Sequence, residues 1–195
     1  YANIICETII DSANVRGTGI AKRTPEYIIN KMEKGNAVIA LDGDTFAGFC
    51  YIESWSHGKF VANSGLIVHP NFRGRGIARK IKAKVFKHSR TKFPTAKVFS
   101  ITTGLAVMKL NSELGYKPVT FSELTNDQSF WDGCQTCKNY DVLQRTEQSM
   151  CLCTGMLFDP VANENKENKK IKEKVFMRLK RMKETLFLKK DKNDR

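Results

Sequence analysis

The segment GLIVHPNFRGRGIARKI, residues 65–81, limits what this chain can fold into more than any other stretch. An apolar run ends at Val68, Pro70 and Asn71 turn the chain, and Ile77, Ile81 and Val85 then recur every four residues. That recurrence lays apolar side chains along one helical face, so the segment reads as strand, turn and helix. Gly74 and Gly76 fall in the turn, where the missing Cβ lets backbone approach a ligand. A helix start adds free N–H groups and the positive end of the helix dipole. Together these features bind phosphate oxygens. Four cations between His69 and Lys80 allow a second reading, a basic contact with nucleic acid.

The distribution of charge weighs between the two. The 195 residues carry a formal net charge of +13. Residues 164–195 hold 13 Lys+Arg against 6 Asp+Glu, which is more than half of the excess. Basicity therefore describes the tail more than the turn. Within the tail, Ile171, Val175, Leu179, Met182 and Leu186 recur at helical spacing and predict a basic amphipathic helix within 161–195. Packing on its own domain, packing on a twin subunit in a homodimer, fraying, and binding a membrane surface or nucleic acid all stay open for it. No run of about 18 apolar residues exists, so no membrane span is expected. No signal peptide is visible. Four of the six cysteines fall within residues 134–153, which argues for a site and against a secreted disulfide framework. A cytoplasmic protein is expected. The opening YANIICETII reads as the middle of a helix, so more chain is expected upstream.

Along the chain, a first helix covers residues 1–13. Thr24-Pro25 caps a second, which stops at Gly35. Asp42-Gly43-Asp44 joins two apolar runs as a hairpin, and FVANSGLIV is a third strand. After the helix at Ile77 come a strand (AKVFSITT), a helix ending at Gly115, a strand (YKPVTF), a cysteine-bearing insertion at 125–153 with a short helix, and a last strand (MCLCTGMLF). The expected fold is α/β, a mixed and mostly antiparallel sheet flanked by helices over residues 1–160, followed by the basic helix.

Arg73-Gly74-Arg75-Gly76-Ile77-Ala78 resembles the Arg/Gln-x-x-Gly-x-Gly/Ala motif of the GNAT superfamily of acyl-CoA-dependent N-acyltransferases, and LNSELGYKP resembles the family motif in which a helix ends in Leu-Gly-Phe/Tyr. ITTG, residues 101–104, is similar to the Thr-Thr pair of bacterial N-acetylglutamate synthases, and GKFVANSGLIVHP, FWDGCQTCKNYD and MCLCTGMLFDP resemble GNAT proteins encoded beside arginine-biosynthesis genes. The resemblance implies a GNAT-like fold whose first strand lies upstream of Tyr1, with acetyl-CoA, or another acyl-CoA such as succinyl-CoA, as co-substrate. It implies that the backbone of Arg73, Gly74, Arg75, Gly76, Ile77 and Ala78 holds the CoA pyrophosphate. Leu66, Ile67 and Val68 would run beside the pantetheine, and an N–H near Val68 would stabilise the oxyanion. The amine acceptor would attack directly. Asn111 stands where many members carry the tyrosine that protonates the leaving thiolate, so the step would use water, another residue such as Tyr116, or no acid, and Gly104 replaces a family Asn.

A base must free the attacking amine of its proton. Glu53, near a strand end, is the leading candidate, with His57 and His69 behind it. Arg16, Lys22 and Arg23, between the first two helices, offer fixed positive charge for a carboxylate and so suit an acidic acceptor such as glutamate. Cys134-x-x-Cys137 and Cys151-x-Cys153, with 13 residues between, suit a structural zinc ion. This rests on Cys151 and Cys153 sharing one face of an extended strand. Unligated thiols, and a disulfide or redox chemistry, are its alternatives. The expectation is an N-acyltransferase acting on a small-molecule amine. Its rivals are a protein or peptide N-acetyltransferase, a nucleic-acid-binding zinc-knuckle protein, and a GNAT domain that binds CoA without turnover.

Overall fold

The computed structural model describes residues 1–16, 21–164, 171–179 and 181. Two helices come first. α1 (Ala2–Arg16) turns Ile5 and Ile9 into the core and leaves Ile4 and Ile10 exposed. α2 (Pro25–Glu33) starts as its sequence requires, with the Thr24 hydroxyl accepting from the Tyr27 N–H at 3.3 Å and Pro25 at the first helical position. It stops before Gly35, whose φ of +61° suits glycine.

β1 (Ala37–Asp42) and β2 (Thr45–Trp55) form the hairpin about Gly43, and β2 pairs antiparallel with β3 (Phe60–Val68). After a 3-10 turn at Pro70–Phe72, α3 (Ile77–Lys92) crosses back so that β4 (Lys97–Thr102) lies parallel to β3. α4 (Leu105–Glu113) leads to β5 (Lys117–Val119), and β6 (Thr154–Phe158) inserts between β4 and β5. The sheet order is β1-β2-β3-β4-β6-β5, mixed and mostly antiparallel. One face packs on α1 and α2 through Ile5, Ile9, Ile28, Phe49 and Tyr51, and the α3 face packs through Ile52, Val61, Ile81 and Val85.

Residues 125–153 lie between β5 and β6 and hold two short helices, α5 (Gln128–Asp132) and α6 (Tyr140–Arg145), rather than one. Trp131 anchors them, buried and donating from its ring N–H to the Thr125 carbonyl at 2.9 Å. The last strand is shorter than its apolar pattern suggests. It begins at Thr154, so Cys151 and Cys153 sit ahead of it in bent backbone.

The chain divides into Tyr1–Asp159 and Pro160–Arg195. In the second unit the described residues 160–164, 171–179 and 181 are helical, with Ile171, Val175 and Leu179 exposed. Met182 and Leu186 of the predicted stripe lie outside the described residues. No helix among the described residues is long and apolar enough to cross a membrane.

Candidate active site

The site begins where two strands part. β3 and β4 pair only from Phe60 to Ala62 against Lys97 to Phe99. Beyond that, β3 bulges. Phe49 faces Ile67 while Tyr51 faces Ser64, so β3 spends one extra residue. Gly65 makes this possible, with a φ of +66° and the Tyr51 ring only 2.6 Å from where a Cβ would stand. The edge of β3 that had faced β4 is then free of a strand partner, and its N–H groups are open to a ligand. A cavity of about 930 Å³ fills the gap, lined by Asn63, Gly65 and Leu66 on one wall and Ser100, Ile101 and Thr102 on the other. Leu66 and Val68 also pack toward α3, and Ile67 is buried on the opposite face. Carbonyls and N–H groups of Leu66, Ile67 and Val68, rather than their side chains, are therefore the groups suited to amides of an extended ligand.

The glycine turn follows directly. Gly74 and Gly76 have φ of +79° and +75°, and no atom stands within 4 Å of a Cβ built on either. Gly76 caps α3 without a side-chain bond, and the first turn holds no acidic residue. The Lys80 N–H is the first to close a helical bond, on the Gly76 carbonyl at 3.2 Å. N–H groups of Ile77, Ala78 and Arg79 thus have no carbonyl four residues back inside the helix. This open cradle fits a pyrophosphate, and its backbone is the gripping part. The Arg73 side chain has another task, since Nε donates to the Val68 carbonyl and Nη2 to the Ser12 hydroxyl, each at 3.2 Å. It ties the turn to β3 and α1. Arg75 lies over the Phe72 ring at 5.3 Å, exposed.

A polar cluster lines the cavity on the α1–α2 side. Arg23 donates from Nε to the Tyr51 hydroxyl at 2.9 Å and from Nη1 to the Lys22 carbonyl at 2.9 Å, with its guanidinium 5.2 Å from the Tyr27 ring centre. Tyr27 donates its hydroxyl proton to Glu53 Oε2 at 2.7 Å, and Lys31 pairs with Glu53 Oε1. Burial, the neighbouring Tyr51 and Glu53 hold the Tyr27 phenol well above its ordinary range. Both oxygens of Glu53 are thus engaged, which the sequence did not announce for a free base. Lys22 lines the cavity, its N–H bonded to the Thr136 hydroxyl at 3.0 Å, so this loop is fastened to the 125–153 segment. The Arg16 side chain lies outside the described residues. His57 sits in the β2–β3 turn at a φ of +56°, and His69 is wedged between Phe46 and Phe72, away from the cavity lining.

Tyr116 is placed differently from the expected acid. It is buried, donates to Asn63 Oδ1 at 2.9 Å, and does not line the cavity. Burial drives its phenol far above the usual range, so it stays protonated. Asn111 is fully buried with Nδ2 on the Ser100 hydroxyl at 2.8 Å.

The zinc expectation finds no support in the arrangement of the described residues. The four thiols are neighbours, and the donor set is chemically right for zinc. Burial first, then the charges of the other cysteines, raise Cys134 to about 11 and Cys153 to about 12. Yet among the described residues no group of three or more His, Cys, Asp or Glu is arranged to hold a metal ion. Cys137 and Cys151 turn instead to the Asn139 backbone, accepting its N–H at 3.4 Å and facing its carbonyl at 3.8 Å. Because Cys151 and Cys153 precede β6, the strand geometry that would have set both sulfurs on one face is missing. Cys134, Cys137 and Cys153 line the main cavity, so these thiols help shape it.

Comparison with known proteins bears on this arrangement. Curated proteins give no match to this sequence. Among solved structures, N-acetylglutamate synthase from Neisseria gonorrhoeae, complexed with coenzyme A and N-acetyl-glutamate, is similar at a TM-score of 0.59 and 15% identity over 80% of this chain and 32% of that one. The chain thus spans about a third of that protein's length. Rv2747 from Mycobacterium tuberculosis, solved with CoA, matches at 0.57 and 14% identity, covering 81% and 93% of the two chains. A GNAT superfamily phosphinothricin acetyltransferase from Sinorhizobium meliloti, solved with acetyl-CoA, matches at 0.54 and 15% identity, covering 81% and 82%. At such identities these structures speak for the fold alone. The Acetyltransferase (GNAT) family model matches residues 6–108, more than half of the sequence. The chain belongs to the GNAT family of acetyltransferases.

Proposed function

We propose that this protein is a CoA-dependent N-acyltransferase acting on the amine of a small molecule that carries a carboxylate. Acetyl is the default acyl group and succinyl the alternative. The acceptor we favour is glutamate or a related amino acid of arginine biosynthesis, in keeping with the N-acetyl-glutamate bound by the gonococcal synthase.

The observation that carries this reading is the cavity between β3 and β4, lined at once by the β3 bulge and by Arg23, Tyr27 and Glu53. An acyl thioester held by the Gly74–Gly76 cradle and the open edge of β3 would meet an acceptor arriving from the α1–α2 side. Arg23 has Nε and Nη1 committed to Tyr51 and Lys22, which fixes the plane of its guanidinium. Its remaining N–H groups can grip a carboxylate, and a preset plane loses less entropy in doing so. Glu53, held between Tyr27 and Lys31, is suited to orient the acceptor's ammonium or to take its proton. No step in this scheme uses the cysteines or a metal.

The test is release of CoA thiol from acetyl-CoA and from succinyl-CoA against a panel of amino acids, their amides, amines and lysine peptides. Acidic amino acids should turn over fastest. Arg23→Met should raise KM for the acidic acceptor by about 10- to 100-fold, the equivalent of one charge-assisted hydrogen bond pair, and leave KM for the acyl-CoA near its wild-type value. Turnover of lysine peptides alone would refute the small-molecule reading.

A further inference from the structure

A further charged group lines this site. Lys82, on α3, is only 1% exposed, and it lines the cavity together with Asn63 and Ser100, the residues at which β3 and β4 part. Its Nζ donates to Asn63 Oδ1 at 3.3 Å and lies 5.0 Å from the Tyr116 ring centre. The hydrogen-bond partner is an amide, not a carboxylate. Asn63 is itself pinned, by the Tyr116 hydroxyl at 2.9 Å and by its own Nδ2 on the Ser89 hydroxyl at 2.7 Å. A buried lysine without a counter-ion is costly and rare unless it has a use. Across the gap stands Ser100, bonded to the buried Asn111, whose amide cannot act as an acid.

We propose that Lys82 is the general acid of the transfer, donating its proton to the sulfur of the departing CoA. The inference rests on the CoA-dependent transfer proposed above, not on the acceptor's identity. The acceptor amine attacks the thioester carbonyl carbon and forms the C–N bond. The C–S bond breaks with its electron pair passing to sulfur. A proton passes from the Lys82 ammonium to that sulfur, giving the CoA thiol. The proton shed by the new amide nitrogen restores the ammonium through solvent. Asn63, Ser89 and Tyr116 are positioning residues: they hold the ammonium at the strand gap.

Burial pulls Lys82 down from 10.5 to about 8, with the Cys50 thiol opposing. The titratable groups facing it are Cys50 from β2 and Tyr116 from the turn before β5, and burial raises both, so neither is ionised at neutral pH. Lys82 is then mainly protonated at pH 7, and its acidity lies close to that of a thiol at about 8.5, so transfer to sulfur is nearly balanced in energy.

The decisive experiment pairs Lys82→Met with wild type. Methionine fills the same volume, and Asn63 Oδ1 keeps its bond from Tyr116, so the fold should hold. The wild-type kcat should fall as pH rises past about 8. In Lys82→Met the kcat should drop about 100-fold or more and this alkaline limb should vanish, while the Kd for CoA measured by calorimetry moves by less than about threefold. Where no acceptor is fast, the slow release of CoA to water reads the same leaving step. A variant that keeps the limb, or keeps a kcat within about threefold of wild type, overturns the proposal. A readout on the unmutated protein covers a variant that does not fold. With 13C-labelled lysine ε-carbons, addition of CoA alone should shift one resonance that titrates near 8. CoA binding without that shift overturns the role of Lys82. Failure of CoA to bind overturns the transferase reading and this one with it.

Discussion

Gly65→Ala tests whether the β3 bulge is what builds the site. The residue has a φ of +66°, and a Cβ there would stand 2.6 Å from Tyr51 Cε1 and 3.0 Å from Cδ1. Two costs follow. Holding alanine in the left-handed region costs about 1–2 kcal/mol. Overpacking adds about 1–3 kcal/mol, because the Tyr51 ring is fully buried against Phe49 and tethered through its hydroxyl to Arg23. At about 2–4 °C per kcal/mol for a chain of this length, the melting temperature should fall by roughly 10 °C. Gly74→Ala is the matched control. Its φ is +79° with nothing within 4 Å of the added Cβ, so only the backbone cost of about 1–2 kcal/mol applies and Tm should fall by about 3–6 °C. The functional signatures should divide the other way. Pushing Tyr51 disturbs Arg23, so Gly65→Ala should weaken acceptor binding, whereas Gly74→Ala narrows the cradle and should weaken acyl-CoA binding. Thermal melts by circular dichroism and the two KM values decide. A Gly65→Ala variant that melts no lower than Gly74→Ala would refute the reasoning, since the added contact with Tyr51 would then cost nothing.

Three further outcomes are expected. Gly76→Ala has open space around its Cβ at a φ of +75°, so it should cost about 1–2 kcal/mol in stability while raising the acyl-CoA KM at least about tenfold, and an unchanged KM would remove the cradle from the site. Cys134 and Cys153, raised to about 11 and 12, should alkylate with iodoacetamide at pH 7.5 at least about 10-fold more slowly than an ordinary thiol, as read by peptide mass analysis; rapid alkylation, or protection by a stoichiometric zinc ion, would refute the picture of neutral thiols. Lys82 should leave a mark on stability with a definite sign. Its folded value of about 8 lies below 10.5, so between those values the unfolded chain binds the extra proton and this group's destabilising effect, about 3 kcal/mol at neutral pH, is relieved as pH rises. The raised thiols of Cys50, Cys134 and Cys153 act oppositely above pH 9, since the folded chain keeps protons that the unfolded one loses. Lys82→Met should therefore be the more stable protein at pH 7 by urea denaturation, with the advantage shrinking toward pH 10.5, and a gap constant with pH would contradict this.

Most of the fold was legible because its local signals agree with its long-range contacts. Thr24-Pro25 capped α2, Gly35 ended it, and Gly43 closed the β1–β2 hairpin, each for a reason contained within a few residues. The glycine turn before α3 was legible for the same reason. Cys151 and Cys153 show where local reading stops. MCLCTGMLF looks uniformly strand-like, but β6 can extend only as far as Thr102 of β4 and Val119 of β5 offer partners, and those end opposite Thr154 and Gly155. Placement of both sulfurs on one face requires a continuous strand, and Cys151 and Cys153 lie ahead of it.

Lys82 was hidden for a different reason. A lysine on a helix is ordinarily read as solvated surface, so a charge count passes over it. Its spacing said otherwise. Lys82, Val85 and Ser89 fall three and four apart beside Ile81, on the stripe that is buried. On that stripe a lysine and a serine interrupt the apolar run, and Asn63 interrupts the apolar face of β3 opposite them. Polar interruptions that face one another across a core must satisfy each other or a ligand. Here they do the first, and the cavity beside them leaves room for the second. The strand gap itself was out of reach of any local signal, because it follows from a bulge at Gly65 that only the contact with Tyr51 on the next strand makes necessary. The site is thus built where the sequence is least regular. A glycine loosens the sheet at that point, and the α3 stripe places a proton donor at the opening.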